Sequence, residues 1–162
     1  MGRTCLLIAL LAALTVPAAL ASSTEDDGTL SVKRGRGSIV LKLRGTVIGR
    51  VNNGRVQIKD FRPFDGLDPE LAGCKPRLKR PRLGVYVCQG RRVSFRVDDA
   101  RYTVNVRGSG IWIAAVGRGP VTVDGAGDLG FNDGLMSIDD EPYTSLPDEL
   151  TSFYLGTAPT RG

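Results

Sequence analysis

Leu30-Ser31-Val32, followed by Ile39-Val40-Leu41-Lys42-Leu43-Arg44-Gly45, has a counterpart 63 residues later. That counterpart reads Val93-Ser94-Phe95, followed by Tyr102-Thr103-Val104-Asn105-Val106-Arg107-Gly108, with no gap needed. In both stretches apolar residues alternate with polar ones, the period of a strand with one buried face and one wet face. Ile39, Leu41 and Leu43 fall on one side and Lys42 and Arg44 on the other; Tyr102, Val104 and Val106 repeat the apolar set. Alternation is common to all strands, so the match rests on Ser31 with Ser94 and on the shared Arg-Gly endings.

The correspondence extends outward with small shifts. Gly54-Arg55-Val56-Gln57-Ile58 parallels Gly119-Pro120-Val121-Thr122-Val123 at an offset of 65. Asp65-Gly66-Leu67 parallels Asp133-Gly134-Leu135, and Val85-Tyr86-Val87 parallels Phe153-Tyr154-Leu155, both at 68. The offset grows only at glycine-rich turns, where insertions are tolerated. Two related units, about 30–87 and 93–155, thus fill a single domain spanning 29–156, with 157–162 as a tail.

Strands are expected at 30–33, 38–44, 46–51 and 55–59, and in the second unit at 92–97, 101–107, 111–116 and 121–124. Short strands at 135–138 and 152–155 close the domain. Gly35, Gly37 and Gly45 read as turns, and Asn52-Asn53-Gly54 as a hairpin, since Asn-Gly between apolar runs is the strongest short hairpin signal. Ile111 to Val116 reads as a central strand with Trp112 in the core. Only the first residues carry a sustained apolar run, and no helical period appears elsewhere. The fold expected is all-β: an antiparallel β-sandwich or small barrel of two similar β-meander units, intertwined or packed. A short β-solenoid is the alternative, disfavoured by a unit near 60 residues.

Residues 1–21 read as a signal peptide: Arg3, an apolar run from Leu6 to Leu14, then Ala19-Leu20-Ala21 before Ser22. The run is too short to span a membrane, and no later stretch is longer. Residues 22–28 form an acidic leader. A secreted, extracytoplasmic protein is expected, and the arginine, alanine and glycine bias suggests a bacterial one. With Cys5 removed, Cys74 and Cys88 remain and read as a disulfide.

That bridge would close the segment Cys74-Lys75-Pro76-Arg77-Leu78-Lys79-Arg80-Pro81-Arg82 to Cys88, with five cations and no acid before Leu83. Arg91 and Arg92 follow directly. Lys75, Arg77, Lys79, Arg80, Arg82, Arg91 and Arg92 are therefore the candidate anion-binding residues, since clustered Lys and Arg attract phosphate, sulfate and carboxylate. The expected partners are an anionic polysaccharide, a wall polymer or lipid headgroups. Sequence-specific nucleic acid is not expected, because no aromatic motif interleaves the cations.

Charge is segregated: residues 33–118 hold 20 basic and 6 acidic residues, while 121–150 hold 8 acids and no base. The acidic segment is expected to fold onto the basic surface, with head-to-tail self-association as the alternative. Asp124, Asp128, Asn132 and Asp133 form a weak calcium candidate that lacks regular ligand spacing, so no metal and no cofactor are assigned. Histidine is absent. Acid–base chemistry would fall to Asp60, Asp65, Asp68, Glu70, Asp98 or Asp99, which sit in turn-like segments. No nucleophile or phosphate-loop motif is present, so no catalytic residue is named and no enzyme is expected. The leading reading is a non-enzymatic binding module; the rival is a structural or assembly protein of an envelope or extracellular matrix, associating through β edges.

Overall fold

The computed structural model describes residues 26–126 and 133–158. The expected signal peptide, residues 22–25 of the leader and the end of the tail lie outside the described residues. Seven strands follow in order: β1 (Gly28–Asp60), β2 (Glu70–Ala72), β3 (Lys79–Arg82), β4 (Val85–Gly125), β5 (Leu135–Ile138), β6 (Thr144–Ser145) and β7 (Thr151–Leu155). They make one antiparallel sheet that does not close into a barrel, and no helix occurs among the described residues. The all-β, sandwich-like architecture expected from the alternation is what the structure shows.

β1 is 33 residues long. Drawn straight it would measure roughly 110 Å, far more than a domain of this size can span, so it must bend. It winds around the core together with β4. Gly45 lies opposite Ala100 on one side and Gly117 on the other, two residues of β4 that are 17 apart. Likewise Val104 lies opposite Leu41 and Ile58, two residues of β1 that are 17 apart. Each strand therefore completes a lap in 17 residues, and laps of the two strands alternate across the sheet. The stretches matched at an offset of 63 face one another, with Leu41 opposite Val104.

A lap contains two walls. One is formed by residues 28–33, 45–51, 93–97 and 111–117; the other by 38–44, 55–60, 85–89, 101–107 and 119–124. Between them lies a single core. Leu30, Val32, Val47, Val93, Phe95, Ile111 and Ile113 come from the first wall, and Ile39, Leu41, Val56, Ile58, Tyr102, Val104 and Val121 from the second. Phe95 packs across Gly49, where an added Cβ would lie 2.2 Å from its ring.

The walls meet at glycine corners. Gly37 is paired with both Gly125 and Gly108, and Gly54 with both Gly108 and Gly90, so five glycines form one column across the sheet. The expected hairpin at Asn52-Asn53-Gly54 is one of these corners: β1 runs through it, with Asn53 opposite Arg91 and Ser109. A two-residue hairpin of the favoured type needs positive φ at its centre, and none of these three residues has it. Gly35, Gly37 and Gly45 are likewise bends within β1 rather than strand ends. Glycine is required there by close approach, since a Cβ on Gly54 would stand 2.2 Å from the Arg107 carbonyl oxygen.

Of the acidic segment expected to fold onto the basic surface, Asp124 lies opposite Ser38 on the second wall and the Asp133 carbonyl accepts the Arg36 N–H at 2.8 Å. β5 pairs with Leu30–Lys33 of the first wall, and β6 pairs with β5. Among the described residues, Asp139, Asp140, Glu141, Asp148 and Glu149 form no ion pair. The Asp139 carboxylate instead accepts the Thr29 N–H at 2.8 Å.

Candidate anion-binding face

Directly opposed residues of an antiparallel sheet point to the same side, so the register reads out the outer face of the second wall. Arg44 lies opposite Arg101 on one side and Arg118 on the other. Two residues along, Thr103 lies between Lys42 and Lys59. Asn105 then stands between Val40 and Gln57, and Arg107 between Ser38 and Arg55. The face therefore carries Lys42, Arg44, Arg55, Lys59, Arg101, Arg107 and Arg118, interleaved with polar side chains and Val40, and with Asp124 opposite Ser38 at its far end.

Like charges placed directly opposite each other destabilise a sheet. Two unit charges about 4 Å apart repel by about 1 kcal/mol in bulk water and by more near a protein surface. Arg44 has an arginine directly opposite it on each side. Among the described residues the one carboxylate paired with this row is that of Asp26, 3.5 Å from Arg118 across a solvent-exposed pair worth little. Among the described residues Lys42, Arg44, Lys59, Arg101 and Arg107 have no carboxylate partner. Lys42, Arg44, Arg101 and Arg118 line a groove of about 450 Å³ together with Phe61 and Tyr154. Phe61 is 44 % exposed and Tyr154 38 %. Lys59 and Arg101 stand 4.5 and 5.5 Å from the Phe61 ring centre, so this ring also holds cations in place.

The disulfide expected between Cys74 and Cys88 is present, with 14 residues of separation. It closes the basic loop, whose β3 pairs with β4 at Lys79–Val87 and Arg82–Val85. Val85 and Val87 are themselves opposite Lys59 and Gln57. The loop therefore extends the basic face at one edge. All seven residues proposed from the sequence are exposed, and they do not form one cluster. Lys79, Arg80 and Arg82 lie on β3, with Arg80 5.1 Å above the Tyr86 ring. Lys75 and Arg77 lie in the loop, while Arg91 and Arg92 sit at the glycine corner, Arg91 opposite Asn53.

The arginine row escaped the sequence reading, which took Lys42 and Arg44 merely as the wet side of a strand. The signal that would have found it is the lap: Arg101 and Arg118 are 17 apart, as are Lys42 and Lys59, Gly37 and Gly54, and Gly108 and Gly125. Trp112, expected in the core, is half-buried on the outer face of the first wall, with Arg50 4.9 Å from its ring. Trp112 precedes Ile113, whose side chain fills the core, so alternation turns it outward.

Of the other candidate carboxylates, Asp60, Asp65, Asp68 and Asp98 have hydrogen-bond partners, while one buried oxygen of Asp60, Oδ2, has none among the described residues. Tyr86 donates its hydroxyl to Asp68 at 2.7 Å, Arg96 pairs with Asp98 at 2.7 Å, and the Arg62 N–H binds Asp60 at 2.7 Å. Asp65 accepts the Leu67 N–H at 3.0 Å within a turn. Burial, and next the bond to Asp68, pushes the Tyr86 phenol up to about 12. Of the calcium candidates, Asp128 and Asn132 lie outside the described residues. Asp124 is opposite Ser38, and Asp133 is buried with its carbonyl accepting the Arg36 N–H at 2.8 Å. Among the described residues no group of three or more metal-ligating side chains gathers. No described helix is long and apolar enough to cross a membrane. Compared with models of known protein families, with curated proteins and with solved structures, the chain matches none.

Proposed function

We propose that this chain is an exported, non-enzymatic binding module that holds an anionic polymer on the outer face of its second wall. The row Arg118–Arg44–Arg101 carries the reading. A sheet that sets three arginines side by side, two of them without a carboxylate partner among the described residues, carries a repulsion that a bound anion would relieve. The disulfide loop adds cations at the edge of the same face and acts as its extension rather than as its centre. The disulfide itself suits an oxidising compartment.

Assembly through β edges is less favoured by the edges themselves. β2, β6 and β7 are three, two and five residues long, and β3 carries Lys79, Arg80, Pro81 and Arg82. Short, charged and proline-bearing edges oppose further strand addition.

The test is retention of the protein, residues 22–162, on an anionic matrix at low salt, followed by salt elution. The parent is expected to bind and to elute as salt rises through roughly 0.1–0.5 M, where screening shortens to a few ångströms. Replacing Lys42, Arg44, Arg101 and Arg107 together by Gln should abolish retention, and replacing the five loop cations should only lower the eluting salt. Retention of the face variant equal to that of the parent would sink the proposal.

A further inference from the structure

We infer that the polymer is a linear polyuronate, a chain of sugars each bearing one carboxylate, lying across the strands along Arg118, Arg44 and Arg101. This rests on the anionic-polymer reading above. Neighbouring strands are about 4.8 Å apart, so the row anchors three arginines on the backbone at steps close to the length of one pyranose ring. Each guanidinium offers a two-donor fork that fits a carboxylate. A polymer running along a strand would meet same-side residues about 6.6 Å apart. After Arg44 and Lys42 it would reach Val40 and Ser38, which carry no charge. The across-strand direction keeps the cations in line, with Lys42 and Lys59 flanking the row on one side.

The ends of the groove favour a sugar chain. The Phe61 N–H donates to the Arg101 carbonyl at 3.3 Å, which sets the half-exposed Phe61 ring at one end of the arginine row. Tyr154, opposite Pro120 on β7, stands on the far side of the same groove. Aromatic faces stack against the C–H faces of sugars, as they do against nucleobases, and give nothing to a bare phosphate chain; a sugar on Phe61 would displace Lys59 or Arg101 from its ring. Thr103, between Lys42 and Lys59, supplies a hydroxyl for the sugar's own hydroxyls.

Calorimetric titration with oligogalacturonates of two, three, four and six sugars tests this, against methyl-esterified hexamer, polyphosphate and oligothymidylate of matched charge. Affinity should climb to about three or four sugars and then level off, since the row holds three arginines at strand spacing. Esterification should abolish binding. Arg44→Gln should weaken the hexamer on the order of tenfold, with an unchanged circular dichroism spectrum, while Lys75→Gln with Arg77→Gln should change it less than about twofold. Equal or tighter binding of polyphosphate or oligothymidylate would overturn the polyuronate assignment and leave the anion-binding reading standing. An Arg44→Gln variant that binds hexamer like the parent would overturn the placement on the arginine row. Failure of every polyanion to bind would overturn both.

Discussion

Gly108 shows how much one position can carry. Its φ is +151°, and an added Cβ would stand 2.2 Å from the Asn53 carbonyl oxygen, a backbone atom held by the neighbouring lap. Gly108→Ala is therefore expected to lower the unfolding free energy by about 2–4 kcal/mol, read from the urea midpoint at unchanged slope. A loss under about 0.5 kcal/mol would mean that the corner relaxes freely. The tyrosines make a second residue-scale case. Burial raises Tyr102 well above the ordinary tyrosine range, and burial with the Asp68 hydrogen bond raises Tyr86 to about 12. Tyr143 moves the other way, lowered by Lys33 and then by Ser31. Folding thus favours the neutral phenols of Tyr86 and Tyr102. Their contribution is fully present below the unfolded value near 10 and is lost as pH rises through about 12. The melting temperature should hold steady up to about pH 9 and fall above about pH 10. Tyr86→Phe should flatten that fall; an identical alkaline slope in the variant would contradict the assignment.

At the scale of elements, the strands were readable and their connections were not. Residues 38–44 and 101–107 alternate except at Val40, which lies on the outer face, and their other apolar residues fill the core. Burial on one wall imposes period two whatever the partner strand, so a window of seven residues is enough to see it. The Asn52-Asn53-Gly54 signal misled because glycine answers two different demands: it permits a tight reversal, and it permits close backbone approach at a corner. Only the neighbouring lap decides between them. The disulfide was legible because two cysteines remained once Cys5, in the segment expected to be a signal peptide, was set aside. It ties β4 to the start of the basic loop, and Cys88 is fully buried in the core. Replacing Cys74 and Cys88 by Ala should lower stability by about 3 kcal/mol on the chain-entropy model. Binding on the arginine row should be left within about twofold of the parent. If the double variant loses binding in step with the loop variant, the loop is the centre of the site rather than its edge.

Across the whole molecule, the candidate site belongs to the winding. The loop cations lie within a short stretch of chain and could be found by eye. Arg44, Arg101 and Arg118 are far apart in sequence, and only the alternation of β1 and β4 laps brings them side by side. The amino-acid sequence by itself determined which side of each strand turns inward, where glycine must stand and which cysteines pair. These follow from the two-residue pleat, from the missing Cβ and from a count of thiols. The tertiary structure alone decided which strand lies beside which. Backbone N–H and C=O groups are the same at nearly every residue, so they pair without regard to the side chains they carry. The register that stacks three arginines was set by filling the core on the other side of the wall.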